Sequence, residues 1–292
     1  MSSIRLATDH RQGIQLAAIG VVILSVDALL VRLADSGPAN VLFWRGLFMA
    51  LSLTFVFRAL RGRWVWQAIR EAGTPGWLLV ATMGLVQILF IVALKTTTVA
   101  NVVIMLAAAP LFAAVFSGLF LGEWVRPRTW IAMTICLAGI AVVFSGTFAT
   151  GNWLGDSLAV ATAVTVGANL TQLRRAPGIS RLAVLGGGAM VACLAVVPFA
   201  APLDVPAAGL AWLAIMGLVQ LPLAMLMMTE ATRYMPSAEV ALFLVVEAVL
   251  GTYWVWLFLA EEPPAATLVG GAVIITTLII HSWLGLRPDR RR

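Results

Sequence analysis

Five ionisable side chains stand inside long apolar stretches of the chain: Asp27, Arg45, Glu230, Glu239 and Glu247. An ion surrounded by hydrocarbon is expensive, so each one needs a partner, water or a task. Asp27 and Arg45 flank one turn, each about seven residues from it, which at about 1.5 Å per residue puts both roughly 10 Å below the same surface. They form a candidate ion pair or gate, and Arg45 could also hold a carboxylate. Glu247 lies about 11 residues into its stretch and is the deepest acid of the chain. It could carry a proton, meet an amine, or sit protonated and bond a neighbouring helix. Glu239 follows Pro236 by three residues, where a carboxylate gains from a helix dipole. Glu230 and Arg233 have helix-pair spacing. Asp156 reads as a charge in the cap region of its helix.

Uncharged polar groups suit a neutral or zwitterionic ligand better. Gln87, Asn101, Asn169 and Gln220 fall inside apolar stretches, and Trp44, Met105, Phe243, Tyr253 and Trp254 could supply an apolar and aromatic wall. Lipid contact or helix packing is the ordinary fate of any one aromatic. With Glu247, these give a candidate binding set of Trp44, Gln87, Asn101, Met105, Asn169, Gln220, Phe243, Glu247 and Tyr253. Pro110 and Pro222 can kink their helices and free carbonyls toward a cavity. Gly118 and Gly122, and the Gly186-Gly187-Gly188 run, read as close helix contacts.

The elements that hold these groups follow from composition. Of 292 residues, 61% are hydrophobic and 11% charged, and the mean hydropathy is +0.99. No water-soluble fold of this size can cover that much apolar surface. A soluble enzyme, a disulfide scaffold and a disordered chain are excluded. Charge-free blocks such as 102–121 and 130–145 have helix lengths rather than the alternation of a barrel strand. Ten spans are predicted, at 13–34, 38–57, 75–94, 98–121, 128–147, 153–173, 179–200, 208–229, 236–260 and 265–286. The first reads as an uncleaved span, because no small-residue cleavage site closes it. Cys136 and Cys193 lie in apolar blocks and read as small buried hydrophobes.

The formal charge of +6 comes from loops. With the N-terminus inside, 16 basic residues fall on the cytoplasmic side and only Arg32 and Lys95 on the other, which predicts both termini in the cytoplasm. Nucleic acid is not an expected partner. The lipid bilayer and a small molecule are, with a homodimer left open.

The chain also echoes itself. Leu119-Phe120-Leu121-Gly122-Glu123 returns as Leu257-Phe258-Leu259-Ala260-Glu261, 138 residues later. The same offset aligns Lys95 with Arg233 and Thr129 with Thr267. Five spans per half is odd, so the second half (148–292) enters the membrane opposite to the first (1–147). Inverted repeats of this kind place a binding site between the halves near mid-membrane. The expected fold is therefore an all-α polytopic membrane protein of two inverted five-helix repeats.

The 5+5 plan, the Pro110-to-Glu123 spacing and Phe43-Trp44-Arg45-Gly46 resemble the drug/metabolite transporter superfamily, and within it the ten-helix EamA-type exporters. Ala248 departs from the pattern where Pro110 stands in the first half. The resemblance implies a secondary transporter of a bacterial inner membrane that exports amino acids, including aromatic ones, by alternating access. A multidrug, nucleotide-sugar or phosphate-ester carrier is the alternative within transport, and an integral-membrane lipid-modifying enzyme the alternative outside it. The chain has no G-x-x-x-x-G-K-[ST] and no H-E-x-x-H, and its only histidines are His10 and His281. No catalytic set, metal site or cofactor is expected.

Overall fold

The structure is a computed structural model that describes residues 2–96, 105–106, 108–124, 126–143, 153–259 and 265–286. Among the described residues the regular structure is entirely helical. Inside hydrocarbon this is the economical solution, since a helix satisfies its own backbone. Six segments are long and apolar enough to cross a membrane: His10–Val31, Pro38–Arg61, Gly73–Phe90, Arg181–Phe199, Ala207–Ala231 and Ser237–Phe258. Ala109–Leu121 and Leu268–His281 are shorter apolar helices.

The sequence explains several boundaries. Helix α1 (Ser2–Leu24) and α2 (Asp27–Leu33) form one segment broken at Ser25 and Val26. The Ser25 hydroxyl donates to the Val22 carbonyl at 2.7 Å, a back-bond that bends a helix. Helix α3 (Pro38–Arg61) starts with proline in its first turn and stops at Gly62, whose φ of 69° is left-handed. A short helix not predicted from the sequence follows, α4 (Val65–Glu71). Then come α5 (Gly73–Thr96), α6 (Ala109–Leu121), α7 (Pro127–Val143), α8 (Trp153–Arg175) and α9 (Arg181–Val196). Buried Arg181 donates to the Ala176 carbonyl at 2.9 Å and to the Leu173 carbonyl, closing the end of α8.

Helix α10 (Ala207–Ile215) runs through a π-helical turn (Met216–Gln220) into α11 (Leu221–Ala231). The irregularity expected at Pro222 thus lies in the turn before it, where proline removes an N–H from the ladder. Last are α12 (Ser237–Leu259) and α13 (Ala265–Leu286).

Helix α3 packs on α9, α6 on α12, and α7 on α13. Helix α5 lies against α8 and α9, while α1 lies against α11 and α12. One core gathers Ala17, Ala113, Met133, Leu170, Met235 and Leu242, from α1, α6, α7, α8, the turn after α11 and the start of α12. These sequence positions lie toward the ends that carry Arg126, Arg128, Arg174 and Arg233. A second core joins Leu24, Met49, Leu79, Leu185 and Met216.

Candidate functional site

The break in the first segment is where the polar groups converge. A broken helix exposes carbonyls that nothing within the helix can satisfy. Here one side chain from another element reaches two of them, and a second holds the Ser25 hydroxyl. Gln220, on the π turn, donates through Nε2 to the carbonyls of Ile23 at 2.9 Å and Leu24 at 3.3 Å. Trp254, on α12, donates its indole N–H to the Ser25 hydroxyl at 2.8 Å. The break is therefore a built feature held by three elements.

Asp27 opens α2 directly beyond the break. Its Oδ2 stands 3.5 Å from Nη1 of Arg45 on α3, with side-chain exposures of 16% for Asp27 and 12% for Arg45. Glu247 on α12 lies within electrostatic reach of both charges. Three ionisable groups far apart in sequence thus share one region of the bundle. Their bonding is incomplete. Asp27 Oδ1, Arg45 Nε and Gln220 Oε1 are buried and have no hydrogen-bond partner among the described residues. Buried polar atoms are rarely left so, and each adds to what a ligand could gain there. One orphan is a cationic donor and two are acceptors.

Aromatic rings stand close by in sequence and structure. Trp44 adjoins Arg45, stacks on Phe48 with centroids 5.2 Å apart, and donates to the Pro202 carbonyl at 3.1 Å. Tyr253 meets Trp254 edge-on at 5.4 Å and is 44% exposed. Gly217, on the π turn, keeps α3 close: a Cβ there would come within 2.6 Å of the Phe48 Cβ and 2.9 Å of the Arg45 carbonyl oxygen.

The other predicted residues separate. Asn169 is buried and donates to the Thr82 hydroxyl at 2.8 Å, tying α8 to α5. Phe243 is buried in the first core. Met105 packs beside Ala93 and Ala159. Gln87 is partly buried on α5. Asn101 lies outside the described residues.

A second polar cluster had weaker signals in the sequence. His10 Nε2 stands 3.6 Å from Oε2 of Glu239, the one buried acid among the described residues. Arg126, Arg128 and Arg174 act on both. Arg174 also forks onto Glu123 at 3.0 and 3.2 Å and donates to the Thr232 carbonyl at 3.0 Å. The left-handed Gly122, φ 67°, turns the chain so that Glu123 reaches it. Nothing in sequence spacing joins residues 10, 123, 174 and 239; Glu123 stood out only as the end of a repeated segment and Glu239 only by its place in a first helical turn.

A bundle of apolar helices with one broken segment, a π turn and an internal polar cluster is an arrangement that multi-pass membrane carriers use. Comparison with known proteins narrows this. The EamA-like transporter family matches the chain over residues 11–145 and again over 153–283, and the chain belongs to that family. It is 25% identical over 279 residues to the pseudopaline exporter CntI of Pseudomonas aeruginosa strain UCBPP-PA14, covering 93% of this chain and 96% of that protein. The same exporter of strain PAO1 matches at 25% over 281 residues, with the same coverage. A solved crystal structure superposes with a TM-score of 0.80 at 18% identity, over 97% of this chain and all of that one, a likeness of fold.

Proposed function

We propose that the protein is a secondary exporter of amino acids, aromatic ones included, or of related zwitterionic metabolites, across a bacterial inner membrane. It is threaded as ten spans in two inverted halves, with both termini in the cytoplasm. The observation that carries the cargo reading is the set of orphaned atoms at the helix break. Arg45 Nε suits a carboxylate, and Asp27 Oδ1, Gln220 Oε1 and Glu247 suit an ammonium group, while Trp44 and Tyr253 suit an apolar or aromatic side chain. A phosphate ester would want several cations, and here Arg45 is matched by two carboxylates. A lipid-modifying enzyme, the reading outside transport, would want a reactive set at a membrane face. The region is one for binding and release.

Two findings support the inverted plan. The family model fits the two halves separately. The packing also survives exchange of the halves: α5 on α8 answers α11 on α1, α6 on α8 answers α12 on α1, and α3–α9, α6–α12 and α7–α13 answer themselves. Discontinuous helices at a midplane site are a feature of such carriers.

The test is counterflow into proteoliposomes. Vesicles preloaded with phenylalanine or tryptophan accumulate the labelled amino acid above equilibrium, with and without a pH gradient. Pseudopaline, the cargo in the name of the relatives, belongs on the panel with a drug and a sugar phosphate. Exchange of the drug or the sugar phosphate alone contradicts the proposal.

A further inference from the structure

We propose that the ridge formed by the end of α3 and by α4 is a binding site for an anionic phospholipid headgroup. The proposal needs the protein to sit in a bilayer; it does not depend on the cargo or on which face is cytoplasmic. Arg58 and Arg61 close α3, Arg63 follows the turn at Gly62, and Arg70 stands in the last turn of α4. Four arginines therefore fall within 13 residues, on the end of a spanning helix and the short helix after it. The one acid of the ridge, Glu71, is taken by Arg63. Arg58 donates to the Gly62 carbonyl and lies 5.4 Å from the Trp64 ring. Arg61 and Arg70 are exposed and have no partner among the described residues.

The ridge is anchored to the bundle. Val65 and Ile69 are buried against Phe57, Val80 and Ala183, which fixes the inner face of α4 to the bundle. The Trp64 backbone N–H donates to the Gln67 side-chain oxygen at 2.9 Å, fixing the start of α4. The outer face carries Trp64 and Trp66, stacked at 4.9 Å with an 11° interplanar angle and 41% and 49% exposed. Two stacked indoles left in water would waste apolar area, whereas tryptophan settles at the headgroup level of a bilayer. Arginine beside tryptophan at that depth presents a planar fork to a phosphodiester while the rings lie along the upper acyl chain. A neutral zwitterionic lipid offers the phosphate with its own cation attached, so charge selects the anionic one.

Native mass spectrometry of the full-length, delipidated protein in neutral detergent tests this, with phosphatidylglycerol and phosphatidylcholine as probes. The parent should hold phosphatidylglycerol at least about tenfold more tightly than phosphatidylcholine, since each nearby arginine strengthens anionic-lipid binding about fivefold. The double variant Arg61→Gln/Arg70→Gln removes two exposed charges with no internal partners and should lose about tenfold or more in phosphatidylglycerol affinity. The control Arg11→Gln/Arg175→Gln, which removes two exposed charges from other helices, should hold its affinity. Equal binding of both lipids, or equal losses in both double variants, overturns the proposal. Displacement of the lipid by glycerol phosphate at the same concentration would instead mark a site for a free anion and also overturn it.

Discussion

Arg45 and Asp27 hold each other 3.5 Å apart in a setting where neither is well hydrated. Removing one partner of such a pair leaves the other charge uncompensated, whereas removing both relieves the desolvation of both. Arg45→Ala and Asp27→Ala should each destabilise by about 2–4 kcal/mol, with the double variant less damaged than the sum by about 1–3 kcal/mol. Thermal unfolding in one detergent, run as a double-mutant cycle, measures the difference. Additive losses would mean that the pair does not interact. Gln220 gives a second test at this scale, because its amide satisfies two carbonyls freed by the helix break. Gln220→Leu should cost about 1–3 kcal/mol through those buried carbonyls, read in the same unfolding assay. Gln220→Glu keeps the shape but replaces the donating amide with an acceptor, and should cost at least as much.

Helices meet here through small residues, and the closest approach at the site is that of the π turn to α3. Gly217→Ala pushes a methyl group onto Phe48 and the Arg45 carbonyl. It should destabilise by about 1–3 kcal/mol through overpacking and impair transport by shifting Arg45. Gly178→Ala, where nothing lies within 4 Å, should stay within about 0.5 kcal/mol. A comparison of the two melting temperatures, with counterflow rates beside them, separates packing from simple loss of a glycine.

Much of this scale was legible in the sequence. Pro38 marks the start of α3, whose end falls four residues past the predicted 57, and the charge-free blocks 102–121 and 130–145 contain α6 and most of α7. The break at Ser25 was not, because a single serine in an apolar run gives no periodic signal; its cause is a hydroxyl back-bond completed by Gln220 and Trp254 from the other half of the chain. Helix α4 was missed for a related reason. Its arginines and tryptophans read as loop, and only Val65, Ile69 and the small Ala68 face the bundle. The candidate set divided on the same ground. Gln220 presents its amide N–H to the backbone and keeps Oε1 unpaired, while Asn169 fastens α8 to α5. Composition identifies a polar side chain in an apolar helix, but only the packing tells which neighbour it satisfies.

On the scale of the molecule, the two ends of the bundle differ. Toward the end rich in arginine, α1, α6, α7, α8, α11 and α12 share a continuous core capped by the Arg174–Glu123 fork, the Thr232 carbonyl and the His10–Glu239 contact. On the proposed threading this closes the cytoplasmic side and leaves the polar cluster nearer the outside. Arg174→Gln should loosen that end, seen as a several-fold gain in cytoplasmic labelling of a cysteine placed at Val166, which packs against this core. Unchanged labelling would mean that the fork does not hold the end shut.

The central claim is that the polar cluster at the broken helix is a chamber reached from one face of the membrane at a time. Its most direct measurement uses a single cysteine at Val26, with Cys136 and Cys193 replaced by alanine. A membrane-impermeant thiol reagent is applied to oriented vesicles from either side, with and without cargo. The account predicts labelling from both faces over time, slowed by cargo, and labelling from the outer face alone when the cytoplasmic end is cross-linked between positions 123 and 174. A cysteine that reacts from neither face, or from only one face whether or not the cross-link is present and with no protection by cargo, would contradict it.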